Sequence, residues 1–197
     1  MDWKFLFDLD GTITQKELLP EIAKEVGLYQ EVYDLTYKTI NGMIPFHTSF
    51  KQRVELFKSI KISKVREIVN AIPLNPHILN FISENKERCY IVTGNLDVWV
   101  NELCDRIGVP SYTSTAMSKD DYIIGLEHIL DKETVALGFQ QPFVAIGEGN
   151  NDAGMVKNAA IGIAYGGVHS PADSVLACAT HAIYDEVRLC QFLKQLL

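Results

Sequence analysis

Four short apolar runs, each cut off by small or polar residues, constrain this chain more than any other feature of its sequence. Trp3 to Leu9 reads as a buried strand ended by Asp10-Gly11. Cys89 to Val92 is a second, ending in Thr93-Gly94-Asn95. Phe143 to Ile146 is a third, ending in Gly147-Glu148-Gly149, and Ala160 to Ala164 is a fourth. Helical patterns run over Ile78–Asn85, Asp97–Ile107, Asn151–Asn158, Pro171–Ala177 and Glu186–Leu196, with a further strand over His181–Tyr184. Strands alternating with helices predict a parallel sheet covered on both faces, a Rossmann-like three-layer α/β core.

One stretch breaks the alternation. From Gln15 to Asn70 apolar residues recur only at helical spacing: Leu18, Ile22 and Val26, then Val32, Leu35 and Ile40, then Phe50, Val54 and Phe57. Gly27, Asn41-Gly42 and Pro45 punctuate it, and Pro73 and Pro76 bracket its end. The expected organisation is a core of residues 1–14 and 75–197 with an all-helical cap, residues 15–74, inserted after the first strand. Such a cap would cover the carboxyl edge of the sheet, where open α/β sheets bind ligands.

Composition narrows the function. A 47% hydrophobic and 22% charged chain of 197 residues can bury a core. A net charge of -7 argues against nucleic-acid or anionic-membrane partners, which need a basic face. Cys89, Cys104, Cys178 and Cys190 form no C-x-x-C pair, so reduced, mostly buried thiols are expected. No signal-peptide pattern and no membrane-length apolar run is present, which predicts a cytoplasmic protein; monomer and homodimer both stay open. His47, His77, His128, His169 and His181 stand at no metal-ligand spacing and read as surface or satisfied core residues. Trp99 between Val98 and Val100 reads as helix packing.

The stretch Phe5 to Thr12, FLFDLDGT, places Asp8 and Asp10 two residues apart at a strand end. Side chains at i and i+2 share a side, so both carboxylates can approach one small volume, and a cation between them would relieve their repulsion. Gly11 allows a sharp turn and close ligand approach. The other strand ends add a hydroxyl and open backbone at Thr93-Gly94, a positive charge at Lys132, and carboxylates at Glu148 and Asp152. Hydroxyl and ammonium beside four acids point to a metal-bridged phosphate. Lys132 stands between Asp131 and Glu133, which would equally suit a surface charge cluster, and Asp152 would equally suit a helix first turn.

This set resembles the haloacid dehalogenase superfamily of phosphatases: D-x-D-G-T, a strand-ending Thr-Gly, a Lys, and a Gly-x-Gly-x-Asn-Asp corner. The inserted block resembles the helical cap of the phosphoserine phosphatases, with Glu17, an Asn-Gly break, Phe46 and Arg53 in their pattern. The resemblance implies that Asp8 attacks phosphorus and forms an aspartyl-phosphate, and that Asp10 is the acid and then the base. Lys132 and Thr93 would hold the phosphoryl oxygens. Mg²⁺ is implied, held by Asp8, the Asp10 carbonyl, Glu148 and, through water, Asp152; Mn²⁺ would also serve. Arg53 would grip a substrate carboxylate, Glu17 face an ammonium, Phe46 close the site, and Gly94, Asn95 and Asn151 line it.

Two residues depart from the pattern. Glu148 stands where the superfamily has Asp, and Asn95 where the phosphoserine group has a second Gly. The leading expectation is thus a Mg²⁺-dependent phosphomonoesterase for a small metabolite, phosphoserine first. A phosphatase for a different small phosphate ester is the second reading. A catalytically weakened binding protein, which Glu148 alone supports, is the third.

Overall fold

A computed structural model describes residues 2–40 and 43–197, so the Asn41-Gly42 break lies outside the described residues. Strands β1 (Lys4–Phe7), β2 (Cys89–Leu96), β3 (Ser111–Lys119), β4 (Tyr122–His128), β5 (Phe143–Gly147), β6 (Ile161–Tyr165) and β7 (His181–Ile183) form one sheet in the order β4-β3-β2-β1-β5-β6-β7. All pairs are parallel except β3–β4, an antiparallel hairpin turned by Asp120 and Asp121, both at positive φ.

Helices cover both faces: α5 (Pro76–Glu84), α6 (Asp97–Ile107), α7 (Lys132–Leu137), α8 (Ala153–Asn158), α9 (Asp173–Leu176) and α10 (Glu186–Lys194). The period-two alternation of the central strands explains the layering. Phe5, Phe7, Val144 and Ile146 enter one apolar cluster with Phe81, Leu103 and Leu189. Leu6, Phe143 and Ala145 enter the other, with Ala136, Met155 and Val175. Trp99 packs edge-on against Phe57 at 5.7 Å, the helix packing expected of it.

Between β1 and α5, the described residues form four helices, α1 (Leu18–Glu25), α2 (Tyr29–Ile40), α3 (Phe46–Phe57) and α4 (Ile62–Ala71). Their two connections to the sheet lie side by side. Thr14 pairs antiparallel with Leu74, Gln15 N–H donates to the Pro73 carbonyl at 2.9 Å, and Asn75 N–H to that of Ile13 at 2.8 Å.

Several element boundaries move. The first strand stops at Phe7 rather than Leu9, because residues 9–13 form a wide turn closed by Thr14 N–H on the Leu9 carbonyl. β2 runs on to Leu96, so Thr93 to Asn95 lie within it rather than beyond it. The helix expected over Pro171–Ala177 shrinks to α9, and Asn150–Asp152 is a tight 3₁₀ turn before α8. The sequence reading missed β3 and α7. β3 is polar and half-exposed, and α7 is only six residues long.

β1 lies between β2 and β5, and the chain leaves β1 towards β2 but leaves β5 towards β6, in opposite directions. That reversal opens a crevice at the carboxyl ends of β1 and β5, where open sheets bind ligands.

Candidate active site

The chain brings Asp8, Asp10, Lys132, Glu148 and Asp152 to that crevice. Asp8 and Asp10 are not on the strand itself. Asp8 stands just before the wide turn and Asp10 within it, both with extended backbone, φ/ψ −65/158 and −64/132, and Gly11 makes the reversal at φ +62. A side chain on Gly11 would be strained there and would meet the Glu17 and Glu148 carboxylates.

Asp8 Oδ1 accepts from Leu9 N–H at 2.7 Å and from Lys132 Nζ at 2.5 Å, which leaves Oδ2 for other work. Lys132 Nζ also donates to Asp152 Oδ1 at 2.5 Å. The lysine is 2% exposed, so the surface charge cluster that its neighbours suggested does not form. Asp131 instead caps α7 by accepting from Glu133 N–H. Burial works against the Lys132 ammonium, but Asp152 and Asp8 outweigh it and hold its pKa above the ordinary value.

Asp152 is fully buried and anchors the loop after β5. Its Oδ2 accepts from Glu148 N–H at 3.0 Å and Gly149 N–H at 2.8 Å. A Cβ on Gly147 would fall 2.5 Å from the Asp152 side chain, so only glycine permits this approach. Glu148 is buried, and its Oε2 accepts from the Thr12 hydroxyl at 3.0 Å, a partner the sequence reading missed.

Carboxylate oxygens of Asp8, Glu148 and Asp152 lie within 4.8 Å of one another. Burial, followed by neighbouring acids, pushes Asp8 and Glu148 well above the usual carboxylate range. Three buried acids against one ammonium is a donor set that suits a hard divalent cation. The Asp10 carboxylate is outside that cluster. Its Oδ1 accepts from Leu18 N–H at the start of α1 at 2.7 Å, and its Oδ2 from Asn95 Nδ2. Burial and then Glu17 raise it to about 7, and these two donors pull against the rise.

Thr93 is fully buried and its hydroxyl oxygen accepts from Asn95 N–H at 3.2 Å and Asn95 Nδ2 at 3.0 Å. Both bonds use oxygen lone pairs, so the hydroxyl proton is available to an anion. A cavity of about 400 Å³ opens above these groups, with Gly94, Asn95 and Asn151 on its core side. Glu17, Phe46 and Arg53 line it from the helical block. Phe46 stacks on Phe50 at 5.7 Å, and its ring would contact a Cβ on Gly94 at 3.1 Å, so glycine makes room for it. The Arg53 guanidinium lies 5.9 Å from the Phe46 ring centroid. Arg53 is 7% exposed, and among the described residues no carboxylate lies within 4.0 Å of it. Burial lowers its pKa, against the pull of Asp10 and Glu17.

His169 is the cavity residue that the sequence reading assigned elsewhere. It lies in the loop after β6, lines the cavity and meets Glu17 Oε1 through Nε2 at 2.9 Å. Its only sequence signal is its place after a strand that ends at the same sheet edge. The other expectations for cysteine hold: all four are free, three buried and Cys178 half-buried.

Comparison with known proteins agrees with this geometry. The model of the haloacid dehalogenase-like hydrolases matches residues 5–155. The phosphoserine phosphatase of Methanocaldococcus jannaschii is 31% identical over 179 residues, 81% of this chain and 83% of that one. A solved phospho-aspartyl intermediate analogue of phosphoserine phosphatase superposes with a TM-score of 0.81 at 26% identity, covering 96% of this chain and 99% of that one. A substrate-bound phosphoserine phosphatase complex gives 0.83 at 26%, covering 98% and 97%. The seven-stranded sheet, the matched family and these relatives together fix the kinship: the chain belongs to the haloacid dehalogenase-like hydrolases and is a phosphatase, a hydrolase of phosphoric monoesters.

Proposed function

We propose that the protein is a Mg²⁺-dependent phosphomonoesterase acting on a small phosphorylated metabolite through an aspartyl-phosphate on Asp8. The observation that carries this reading is Asp8 itself: buried, its Oδ1 tied to Lys132 and Leu9, its Oδ2 left free beside a cavity shared with Asp10 and Arg53. Oδ2 attacks phosphorus, and the phosphoryl group passes to the carboxylate as the leaving oxygen departs. Asp10, balanced near neutrality at about 7, protonates that oxygen and then takes the proton of the attacking water. Lys132 and the Thr93 hydroxyl hold the phosphoryl oxygens as charge builds on them.

Asp8, Glu148, Asp152 and the Asp10 carbonyl are the groups that would hold Mg²⁺ or Mn²⁺. Bound there, the ion supplies positive charge to the phosphoryl oxygens. Despite its extra methylene, Glu148 keeps a carboxylate oxygen within 4.8 Å of those of Asp8 and Asp152, which argues against the weakened-binder reading.

Residues 15–74 act as the cap, and its closed neck at Thr14 and Leu74 supports that division. Arg53, a buried cation with no carboxylate within 4.0 Å among the described residues, suits a substrate carboxylate, and Phe46 covers the site. The relatives' names make phosphoserine the first candidate. A different small phosphate ester is the second reading, favoured by the contact between His169 and Glu17. Four free thiols and the absence, among the described residues, of a helix able to cross a membrane suit the cytoplasm.

Acid-quenched mass spectrometry after mixing with an aryl phosphate and Mg²⁺ tests the chemistry. A phosphoryl adduct on Asp8, absent from Asp8→Asn, is expected. Turnover by Asp8→Asn at the wild-type rate would end the assignment.

A further inference from the structure

Asn95 stands where the resemblance leads one to expect glycine, and its side chain is tied into the site. β2 carries a bulge at this point: Val92 pairs with Tyr112 and Leu96 with Ser114, so β2 takes four steps where β3 takes two. Within the bulge the Gly94 carbonyl accepts from the Ser114 hydroxyl at 2.7 Å, and the Ser114 oxygen accepts from Leu130 N–H at 3.0 Å. A bulge re-aims the side chains it carries. Asn95 is buried at the cavity wall, and its Nδ2 donates to Asp10 Oδ2 and, at 3.0 Å, to the Thr93 hydroxyl oxygen. An amide nitrogen has two protons, and both are spent. The flipped amide would set its oxygen against a carboxylate oxygen, so these partners decide its orientation.

Resting on the phosphatase reading above, we infer that Asn95 is a positioning residue for phosphoryl transfer. One amide aligns the Thr93 hydroxyl with the phosphoryl oxygens and the Asp10 carboxyl with the leaving oxygen. The Thr93 oxygen accepts from the Asn95 backbone N–H at 3.2 Å as well as from Nδ2, which fills both lone pairs and turns the O–H outward to the anion. Asp10 is held at both oxygens, Oδ1 by Leu18 N–H at 2.7 Å and Oδ2 by Asn95, and two such bonds fix the plane of the carboxyl group. A carboxyl oxygen accepts with or without its proton, so the alignment lasts through both halves of the reaction. Without the amide, Asp10 turns about its single bond to Leu18, and the Thr93 hydroxyl rotates. Small misplacements of a reacting group are costly, so Asn95 acts on the rate through these two neighbours.

The test is a leaving-group series with Mg²⁺: 2,4-dinitrophenyl, 4-nitrophenyl and phenyl phosphate, whose leaving oxygens need a proton in rising order. Asn95→Ala and Asn95→Gly both remove the amide without adding an atom, so neither introduces a clash. In both variants kcat/KM should fall about a hundredfold for phenyl phosphate and only about tenfold for 2,4-dinitrophenyl phosphate, so its dependence on leaving-group basicity steepens. With 2,4-dinitrophenyl phosphate the variants should also hold more acid-quenched phosphoryl adduct on Asp8 than wild type, because the attacking water has lost a well-placed base. A role in packing alone, or in touching the aryl group, lowers the three esters by one factor. Equal losses across the series, or no loss, overturn the inference and leave the phosphatase chemistry standing. Wild type that turns over none of the three and shows no adduct on Asp8 removes the underlying reading and the inference with it.

Discussion

At the floor of the cavity, Asp8, Lys132 and Asp152 are buried and joined by two ion pairs of 2.5 Å, all carried by strand ends or the elements directly after them. At its roof, Phe46 and Glu17 are only half-buried, and the contacts are a ring stack, a guanidinium over a ring and one histidine from across the cavity. The floor's charges are over-determined: Lys132 answers both Asp8 and Asp152, and removing it leaves two buried acids without a counter-charge. The roof's contacts exchange at little cost, since each can be replaced by water or ligand. On the function proposed above, the chemistry therefore belongs below, and selectivity that a few side chains can rewrite belongs above.

The largest effects belong to the floor. Asp8→Asn should lower kcat by about four orders of magnitude or more, because an amide cannot accept the phosphoryl group. The fold should persist, since Lys132 keeps Asp152, and unchanged circular dichroism would check that. Lys132→Met should cost activity about 10³-fold. It should also cost about 3 kcal/mol of stability in urea unfolding, because Asp8 and Asp152 stay buried without their cation. A Lys132→Met chain as stable as wild type would mean that the floor is not over-determined.

At the roof, the effect should be smaller and selective. Arg53→Ala removes a charge-assisted bond worth about 2 kcal/mol, so KM for a carboxylated ester should rise about thirtyfold. A neutral aryl phosphate should be spared. Equal losses on both would mean that Arg53 supports the fold of α3 rather than the substrate.

The same division governs what could be read from the sequence. Asp8, Asp10, Thr93, Lys132, Glu148 and Asp152 were legible because strand ends at one sheet edge must converge, whatever the details of the turns. Their burial was not legible: Lys132 flanked by Asp131 and Glu133 carries the pattern of a surface residue, and only tertiary packing turns it inward. The wide turn after Phe7 was hidden too, since a strand and an extended turn share backbone angles at Asp8 and Asp10. At the roof, Glu17, Phe46 and Arg53 were legible only through resemblance, because a helical block has no sheet edge to gather its side chains. His169 escaped because its partner is 152 residues away and loops carry no periodicity. β3 escaped because a strand with exposed polar residues lacks the apolar run that marks the buried ones.

The smallest expected effect separates floor from roof without any substitution. Asp8 and Glu148 are raised by burial first, so without a bound cation the folded chain holds protons that the unfolded chain has already released. Stability then falls as pH climbs above the usual carboxylate range. Mg²⁺ held there as proposed would bind the ionised acids and cancel that loss, so the gain in Tm on adding it should grow between about pH 5 and pH 8. His169 is raised to about 9, chiefly by its bond to Glu17. For a base the sign differs in origin but not in direction: its contribution is full below about 6.5 and fades as pH passes about 9. The floor's pH dependence should thus vanish with Mg²⁺ and survive His169→Ala, while the roof's should survive Mg²⁺ and vanish with His169→Ala. Scanning fluorimetry of the two chains, with chelator or Mg²⁺, reads all four combinations. A Mg²⁺ gain that stays flat with pH would show that the acids at the floor are already neutralised by Lys132 alone.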